Sequence, residues 1–231
     1  MWDVHRARVH WPRLTPMPLA QVWLVRLPDD DQVVSAGTEA CLSQEEIQRA
    51  HRFTQPRHAQ RYIAAHAALR TLLAEALHCA AHELAWQTDA DGKPHLPHHP
   101  LQFNLSHSDV WALVATHPTL ALGVDLETHQ PWQDMDGLAL AIFHPDEASA
   151  WRQLPVATQA RALHVAWTRK EACLKALGTG LRLAPEQVWV GMADAPRQGR
   201  WRQDGGRTVD WCDLILPLPT PHSACLAWVQ P

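Results

Sequence analysis

Tyrosine appears once and phenylalanine three times in 231 residues, and no CxxC pair or HExxH pattern occurs. No apolar run approaches the roughly 20 residues of a membrane-spanning helix. Met1 to His10 carries charges and histidines where a secretory signal would carry an apolar core. The five cysteines (Cys41, Cys79, Cys173, Cys212, Cys225) are dispersed. An odd, scattered set suits reduced, mostly buried thiols in the cytosol better than a disulfide framework. Positive charge is scarce too: 20 Lys and Arg stand against 24 Asp and Glu, a formal net charge of −4. That balance argues against broad nucleic-acid binding. The absences together predict a soluble, cytoplasmic protein.

Tryptophan, by contrast, occurs twelve times, and such rings fill core and interface positions. Of the sixteen histidines, His95, His98 and His99 cluster in the Pro-rich HLPHHP and read as a solvated loop. One stretch departs from the acidic average. Arg49 to Arg70 holds five arginines (49, 52, 57, 61, 70), three histidines and no acid. This is either a solvated helix face or a site for phosphates, whose oxygens match guanidinium forks.

Residues 20–27 read as a first strand. Ser43 with Glu46 has capping-box spacing for a helix start. Residues 60–77, rich in Ala and Leu without Gly or Pro, predict a strong helix. A strand near 84–87, a turn at Asp91-Gly92 and a Pro-rich loop to Pro100 follow. Strands are expected at 101–105 and 111–115, flanking a turn at SHSD, and at 120–126. Helices are expected at 142–153 and 159–177, the second ended by Gly178 and Gly180. Beyond lie turns at 196–199 and 204–206 and candidate strands at 186–192, 209–216 and 223–229.

Three ordered segment pairs suggest an internal duplication. Residues 66–72 align with 171–177, 83–86 with 186–189, and 107–112 with 222–227. The expected fold class is α+β. Two similar halves, each a helix on a small antiparallel sheet, are related by a pseudo-two-fold. Residues 1–110 form the N-terminal half with the basic helix, and residues 111–231 the C-terminal half with the acids. A ligand between the halves is the natural arrangement, and the duplication favours a monomer.

Four motifs carry candidate chemistry. Gly123-Val-Asp-Leu-Glu127 puts Asp125 and Glu127 on one face of a strand, with Val124 and Leu126 turned into the core. Two adjacent carboxylates call for a cation, and Mg²⁺ prefers oxygen ligands. In Trp167-Thr-Arg-Lys-Glu-Ala-Cys-Leu-Lys175, Glu171 and Lys175 share a helix face. Phe103-Asn-Leu-Ser-His-Ser108 offers Ser106 and His107 as compact donors to an anion. Gly92-Lys-Pro94 places Lys93 on a turn.

In this order, GKP, FNLSHS, GVDLE, FHPDE (143–147) and WTRKEACLKALGTGL (167–181) resemble the 4′-phosphopantetheinyl transferase superfamily. The length and duplication are similar to its single-chain, surfactin-synthetase-activating type. The resemblance implies transfer of 4′-phosphopantetheine from coenzyme A to a serine of an apo-acyl or peptidyl carrier protein, releasing 3′,5′-ADP. It implies Mg²⁺ on Asp125, Glu127 and Glu171, with coenzyme A as substrate. Arg49, Arg61 and Lys93 become coenzyme A contacts, and Ser106 and His107 fall on the segment that holds the 3′-phosphate region. Lys175 lies near the pyrophosphate. A base must take the serine proton, and Glu171 is the candidate, directly or through a water. Trp132, Met135 and Leu138 would offer an apolar dock to the carrier. One departure is visible: where the family often carries a base three residues before Arg49, this chain has Glu46. A Mg-dependent phosphohydrolase acting on a nucleotide pyrophosphate would use similar groups.

Overall fold

The computed structural model describes residues 5–8, 19–192 and 197–231. Its first half contains β1 (His5–Arg8), β2 (Gln21–Arg26), α1 (Ala36–Glu39), α2 (Gln44–Ala50) and α3 (Pro56–Leu77), then β3 (Gln87–Thr88), β4 (Pro94–His95), β5 (Gln102–Ser108) and β6 (Trp111–His117). The second contains β7 (Leu122–Thr128), α4 (Met135–Ile142), α5 (Pro145–Gln153) and α6 (Val156–Leu177), then β8 (Gln198–Arg202), β9 (Thr208–Asp213) and β10 (His222–Val229). Two four-stranded antiparallel sheets result, ordered β1-β2-β6-β5 and β7-β10-β9-β8.

The two halves share one plan, as the duplication predicted. β2, β6 and β5 are connected as β7, β10 and β9 are. The long helices α3 and α6 both have 22 residues, and each ends on a left-handed residue, His78 or Gly178. The register differs from the sequence alignment, however. Helix ends match Leu77 with Leu177, so the pairing of 66–72 with 171–177 is slipped along the helix. The third pair equates the end of β5 with β10, whereas the counterpart of β10 is β6. Short Ala- and Leu-rich helices align well in more than one register, which is why sequence alone slipped. The division between sheets falls between His117 and Leu122, later than the boundary at 110, because β6 closes the first sheet.

Local predictions fare unevenly. The Ser43–Glu46 capping box forms. The SHSD turn does not: Ser106, His107 and Ser108 all lie on β5, and the turn is made at Asp109, whose φ is 52°. Residues 186–192 are not a strand but carry a 3₁₀ turn at Pro185–Gln187. β8 and α4 were not foreseen. The turn expected at 196–199 begins outside the described residues.

Alternation along the strands divides the apolar residues among three cores. α3 packs on one face of the first sheet, burying Leu69, Leu73, Phe103 and Val114. α6 packs on the second sheet over Cys173, Leu174, Trp211 and Ala227. Between the sheets, Leu24, Leu113, Val124, Leu126 and Leu226 form a third core that joins the halves. Val124 and Leu126 therefore point inward as expected, and Asp125 and Glu127 face α6.

Each half is pinned by a buried cation on its long helix. Arg70 donates to Glu46 and to the carbonyls of Ala81 and Leu84. Lys170 donates to Glu147 and to the carbonyls of Pro185 and Val188. Glu46 and Glu147 each occupy the third position of a capping box, on α2 and α5. An ion pair removed from water in this way needs its remaining polar atoms bonded, and the turn carbonyls do that.

Candidate active site

The site begins where the edges of the two sheets meet. β5 and β7 belong to different sheets and run in the same direction, joined by side chains. Asn104 Oδ1 accepts from Val124 N–H (2.9 Å), Ser106 Oγ from Leu126 N–H (3.3 Å) and Ser108 Oγ from Thr128 N–H (2.9 Å). Alternate residues of FNLSHS thus stand in for the backbone carbonyls of a neighbouring strand. Left unpaired, each buried N–H would cost about 1–3 kcal/mol. The same spacing sets Ser106 beside Asp125 and Ser108 beside Glu127. Ser106 Oγ donates to Asp125 Oδ1 at 2.8 Å, and Ser108 Oγ lies 3.4 Å from Glu127 Oε2.

Helix α6 supplies the facing groups. It approaches β7 at Gly123, where a Cβ would strike Ala172 O and Ala176 N. That close approach brings Lys175 Nζ to 2.6 Å from Asp125 Oδ1 and 3.2 Å from Ser106 Oγ. Trp167 Nε1 donates to Glu127 Oε1 at 3.3 Å. Glu171 lies one turn before Lys175 and within reach of the charges of Asp125 and Lys175.

Electrostatically the centre is short of cations. Burial, then the charge of Asp125, pushes the Glu127 carboxyl up to about 7 against the opposing effects of Trp167, Lys175 and Ser108. Burial also raises Glu171; Lys175 opposes this and Asp125 adds to it. Asp125 is 3% exposed, and its Oδ2 is a buried oxygen without a hydrogen-bond partner. Among the described residues no group of three or more His, Cys, Asp or Glu side chains is arranged to hold a metal ion as it stands. Asp125 is the common neighbour: its charge acts on both Glu127 and Glu171, and Lys175 is bonded to it.

The expected phosphate contacts lie in different settings. His107 lies on β5 between Ser106 and Ser108, its imidazole lowered by desolvation and then by the charges of His66, Lys175 and Arg61. Arg61 is engaged by Asp30 (2.8 Å) and Asp109 (3.2 Å). Arg49 is exposed, its guanidinium 5.6 Å from the Tyr62 ring, and it borders a cleft of about 430 Å³ with His66 and Trp86. Lys93 has a structural duty: its ammonium donates to Leu122 O (3.0 Å) and Ala176 O (2.9 Å). It ties the GKP turn to β7 and to the end of α6. Burial lowers it to about 8, with Asp89 opposing and Arg207 adding.

Several motif residues prove to be scaffold. Arg169 is fully buried, gripping Asp213 with two N–H groups while stacking 4.4 Å from Trp211. Lys170 is the buried anchor of the second half. Of the charged run in α6, only Glu171 and Lys175 face the acidic centre. Glu46, which replaces a base common in the family, accepts from Arg70 and from His66 Nδ1 (2.7 Å). Trp132, Met135 and Leu138 pack against the second core, and the Trp132 ring lies 4.3 Å from His164. All three remain partly exposed. Three of the five thiols, Cys173, Cys212 and Cys225, are buried.

Comparison with known proteins agrees with this division. Residues 28–119 match a family model described as 4′-phosphopantetheinyl transferase, N-terminal. Residues 121–220 match the 4′-phosphopantetheinyl transferase superfamily. The two matches meet at the boundary between the sheets. The 4′-phosphopantetheinyl transferase HetI of Nostoc sp. is 36% identical over 166 residues, 70% of each chain. The phosphopantetheinyl transferase of Thraustochytrium sp. is 27% identical over 92% of this chain and 79% of its own. That of Bacillus subtilis is 28% identical over 84% and 81%. With two carboxylates on β7, a third with a lysine on α6 and both family models matched in order, the chain belongs to the 4′-phosphopantetheinyl transferase superfamily.

Proposed function

We propose that this chain transfers the 4′-phosphopantetheine moiety of coenzyme A to a serine of an apo-acyl or peptidyl carrier protein and releases 3′,5′-ADP. The observation that carries the reading is the convergence of Asp125, Glu127, Glu171 and Lys175 where the two halves meet. His107 on β5 lies within reach of the charges of Lys175 and Asp125, and Arg49 borders the cleft of the first half.

The donor set suits Mg²⁺. Asp125 Oδ2 is buried without a partner, and two more carboxylates are held in protonated-favouring surroundings beside it. A hard dication with oxygen ligands would relieve all three. Asp125, Glu127 and Glu171 would hold it, and when bound it would offset negative charge on the pyrophosphate.

The remaining chemistry falls to the protein. Phosphoryl-type transfer requires positioning and charge stabilisation above all. The carrier serine oxygen forms a bond to the β-phosphorus of coenzyme A as the bond to the bridging oxygen breaks, and 3′,5′-ADP departs. Lys175 is placed to steady the pyrophosphate oxygens. Glu171 receives the serine proton, directly or through an intervening water. Glu171→Gln is expected to abolish turnover while coenzyme A binding persists; a fully active variant would remove Glu171 from this role.

The phosphohydrolase reading finds no support, since the matched relatives carry transferase names. No helix among the described residues is long and apolar enough to cross a membrane. We further propose a cytoplasmic monomer, on the dispersed thiols and the duplication that supplies both sides of the site from one chain.

A further inference from the structure

The hydroxyl of Ser106 is bonded in three directions. Oγ donates to Asp125 Oδ1 at 2.8 Å and accepts from Leu126 N–H at 3.3 Å and from Lys175 Nζ at 3.2 Å. A serine hydroxyl has one proton to give and two lone pairs to receive with, so its capacity is full. Ser106 is also buried, at 6% exposure. By strand alternation the next residue on β5, His107, turns to the opposite face, and it is exposed. The segment therefore meets solvent through His107, while Ser106 is committed to β7 and α6.

The consequence falls on Asp125. Ser106 and Lys175 both donate to the same oxygen of this carboxylate, Oδ1, the lysine at 2.6 Å. Oδ2 is buried and without a partner. A carboxylate left to itself turns about its Cβ–Cγ bond and exchanges its two oxygens. The two donors differ in how firmly they prevent this. Lys175 reaches Asp125 on a flexible stem and keeps 28% of its side chain exposed. Ser106 is short, and its Oγ is fixed by the N–H of Leu126, the residue next to Asp125 on β7. When Lys175 turns to the pyrophosphate oxygens, Ser106 is the donor that stays on Oδ1.

We infer that Ser106 is a positioning residue of the metal site and not a coenzyme A contact: it holds Oδ1 of Asp125 so that Oδ2 is presented to Mg²⁺. A group bonded to a metal ligand, and not to the ion, fixes the ligand's orientation, and losing it typically weakens metal affinity by about 10- to 100-fold. The same hydroxyl joins the two halves through Leu126 N–H, so the contact that closes the seam also aims the acid. The inference rests on the Mg²⁺ reading above and deepens it, by naming the oxygen of Asp125 that binds and the group that keeps it turned.

Two calorimetric titrations of the full chain test it, on wild type, Ser106→Ala and Asn104→Ala. Coenzyme A is titrated in EDTA, and Mg²⁺ is titrated into protein saturated with coenzyme A, with no carrier present. In Ser106→Ala the Kd for Mg²⁺ should rise about tenfold or more. Its metal-free Kd for coenzyme A should stay within about twofold of wild type, since no bond to that ligand is lost. Asn104→Ala controls for damage to the seam: it strands Val124 N–H as Ser106→Ala strands Leu126 N–H, but Asn104 bonds neither acid. Its Kd for Mg²⁺ should stay within about twofold. An unchanged Kd for Mg²⁺ in Ser106→Ala, a weakened metal-free Kd for coenzyme A in that variant, or an equal loss of Mg²⁺ affinity in Asn104→Ala would each overturn the inference. Should Ser106→Ala not fold, Ser106→Cys, close in size but a weak donor, is read by the same criteria. A wild type that binds no Mg²⁺ would remove the Ser106 assignment together with the metal site. A wild type that binds both ligands but modifies no carrier would leave the Ser106 assignment standing and remove the transferase reading instead.

Discussion

Gly123 on β7 lies directly against the backbone of Ala172 on α6, with no room between them for a methyl group. This contact sets the distance between the strand that carries Asp125 and Glu127 and the helix that carries Glu171 and Lys175. Gly123→Ala must push helix and strand apart. Overpacking of this kind costs about 1–3 kcal/mol, and the denaturant midpoint should fall accordingly. Transfer activity should fall further than stability explains, because the acids and the lysine separate. A variant of wild-type stability and activity would show that the spacing is not critical.

Asn104 provides a test of the seam between the halves that leaves the acids untouched. Asn104→Ala strands the buried N–H of Val124, and a loss of about 1–3 kcal/mol is expected. Chemical denaturation measures it. Ser108→Ala strands Thr128 N–H and also removes a neighbour of Glu127, so it should lower activity in addition. Neutral behaviour of both variants would mean that water replaces the seam without cost.

Acid should weaken the first half through Glu46. Its pKa drops from 4.5 in the unfolded chain to about 2 in the fold. A depressed carboxyl contributes stability that is fully present above about 4.5 and is lost as pH falls through about 2. The stability gap between wild type and Glu46→Gln should therefore narrow across that window. Urea titrations at several pH values give the gap, and a gap independent of pH would contradict the pairing with Arg70 and His66.

Glu127 behaves in the opposite sense. Its carboxyl is raised to about 7, so ionising it costs the metal-free protein stability as pH rises from about 4.5 through about 7. Mg²⁺ has to displace that proton. Its affinity should strengthen between about pH 6 and about pH 8, with proton release on binding that disappears at the upper end. Calorimetry in buffers of different ionisation enthalpy measures both. Affinity flat across the range, or no proton release, would take Glu127 out of the metal site.

Much of this was legible in the chain, and the parts that were not share a cause. The period-two spacing of GVDLE fixed which residues face the core, because a strand offers only two faces. The order of motifs carried the family. SHSD reads as a turn because Ser and Asp favour turns, whereas the alternation of Asn104, Ser106 and Ser108 marks a strand that bonds a neighbour through side chains. Glu147 and Lys170 stand out as motif residues, yet both are buried in an anchor like that of Glu46 and Arg70 in the first half. Lys93 shows the same limit. A lysine on a turn gives no sign, in sequence, that its ammonium will close on the carbonyls of two distant elements. Long-range partners of charged groups are decided by tertiary packing, and local pattern does not encode them.

The central claim is transfer of the phosphopantetheine arm to a carrier serine. Incubating the full chain with Mg²⁺, coenzyme A and a panel of apo-carriers, followed by intact-mass spectrometry, tests it directly. One added phosphopantetheine on the carrier, lost when its serine is replaced and accompanied by 3′,5′-ADP, is the predicted result. Unmodified carriers throughout, with coenzyme A either intact or simply hydrolysed, would contradict it.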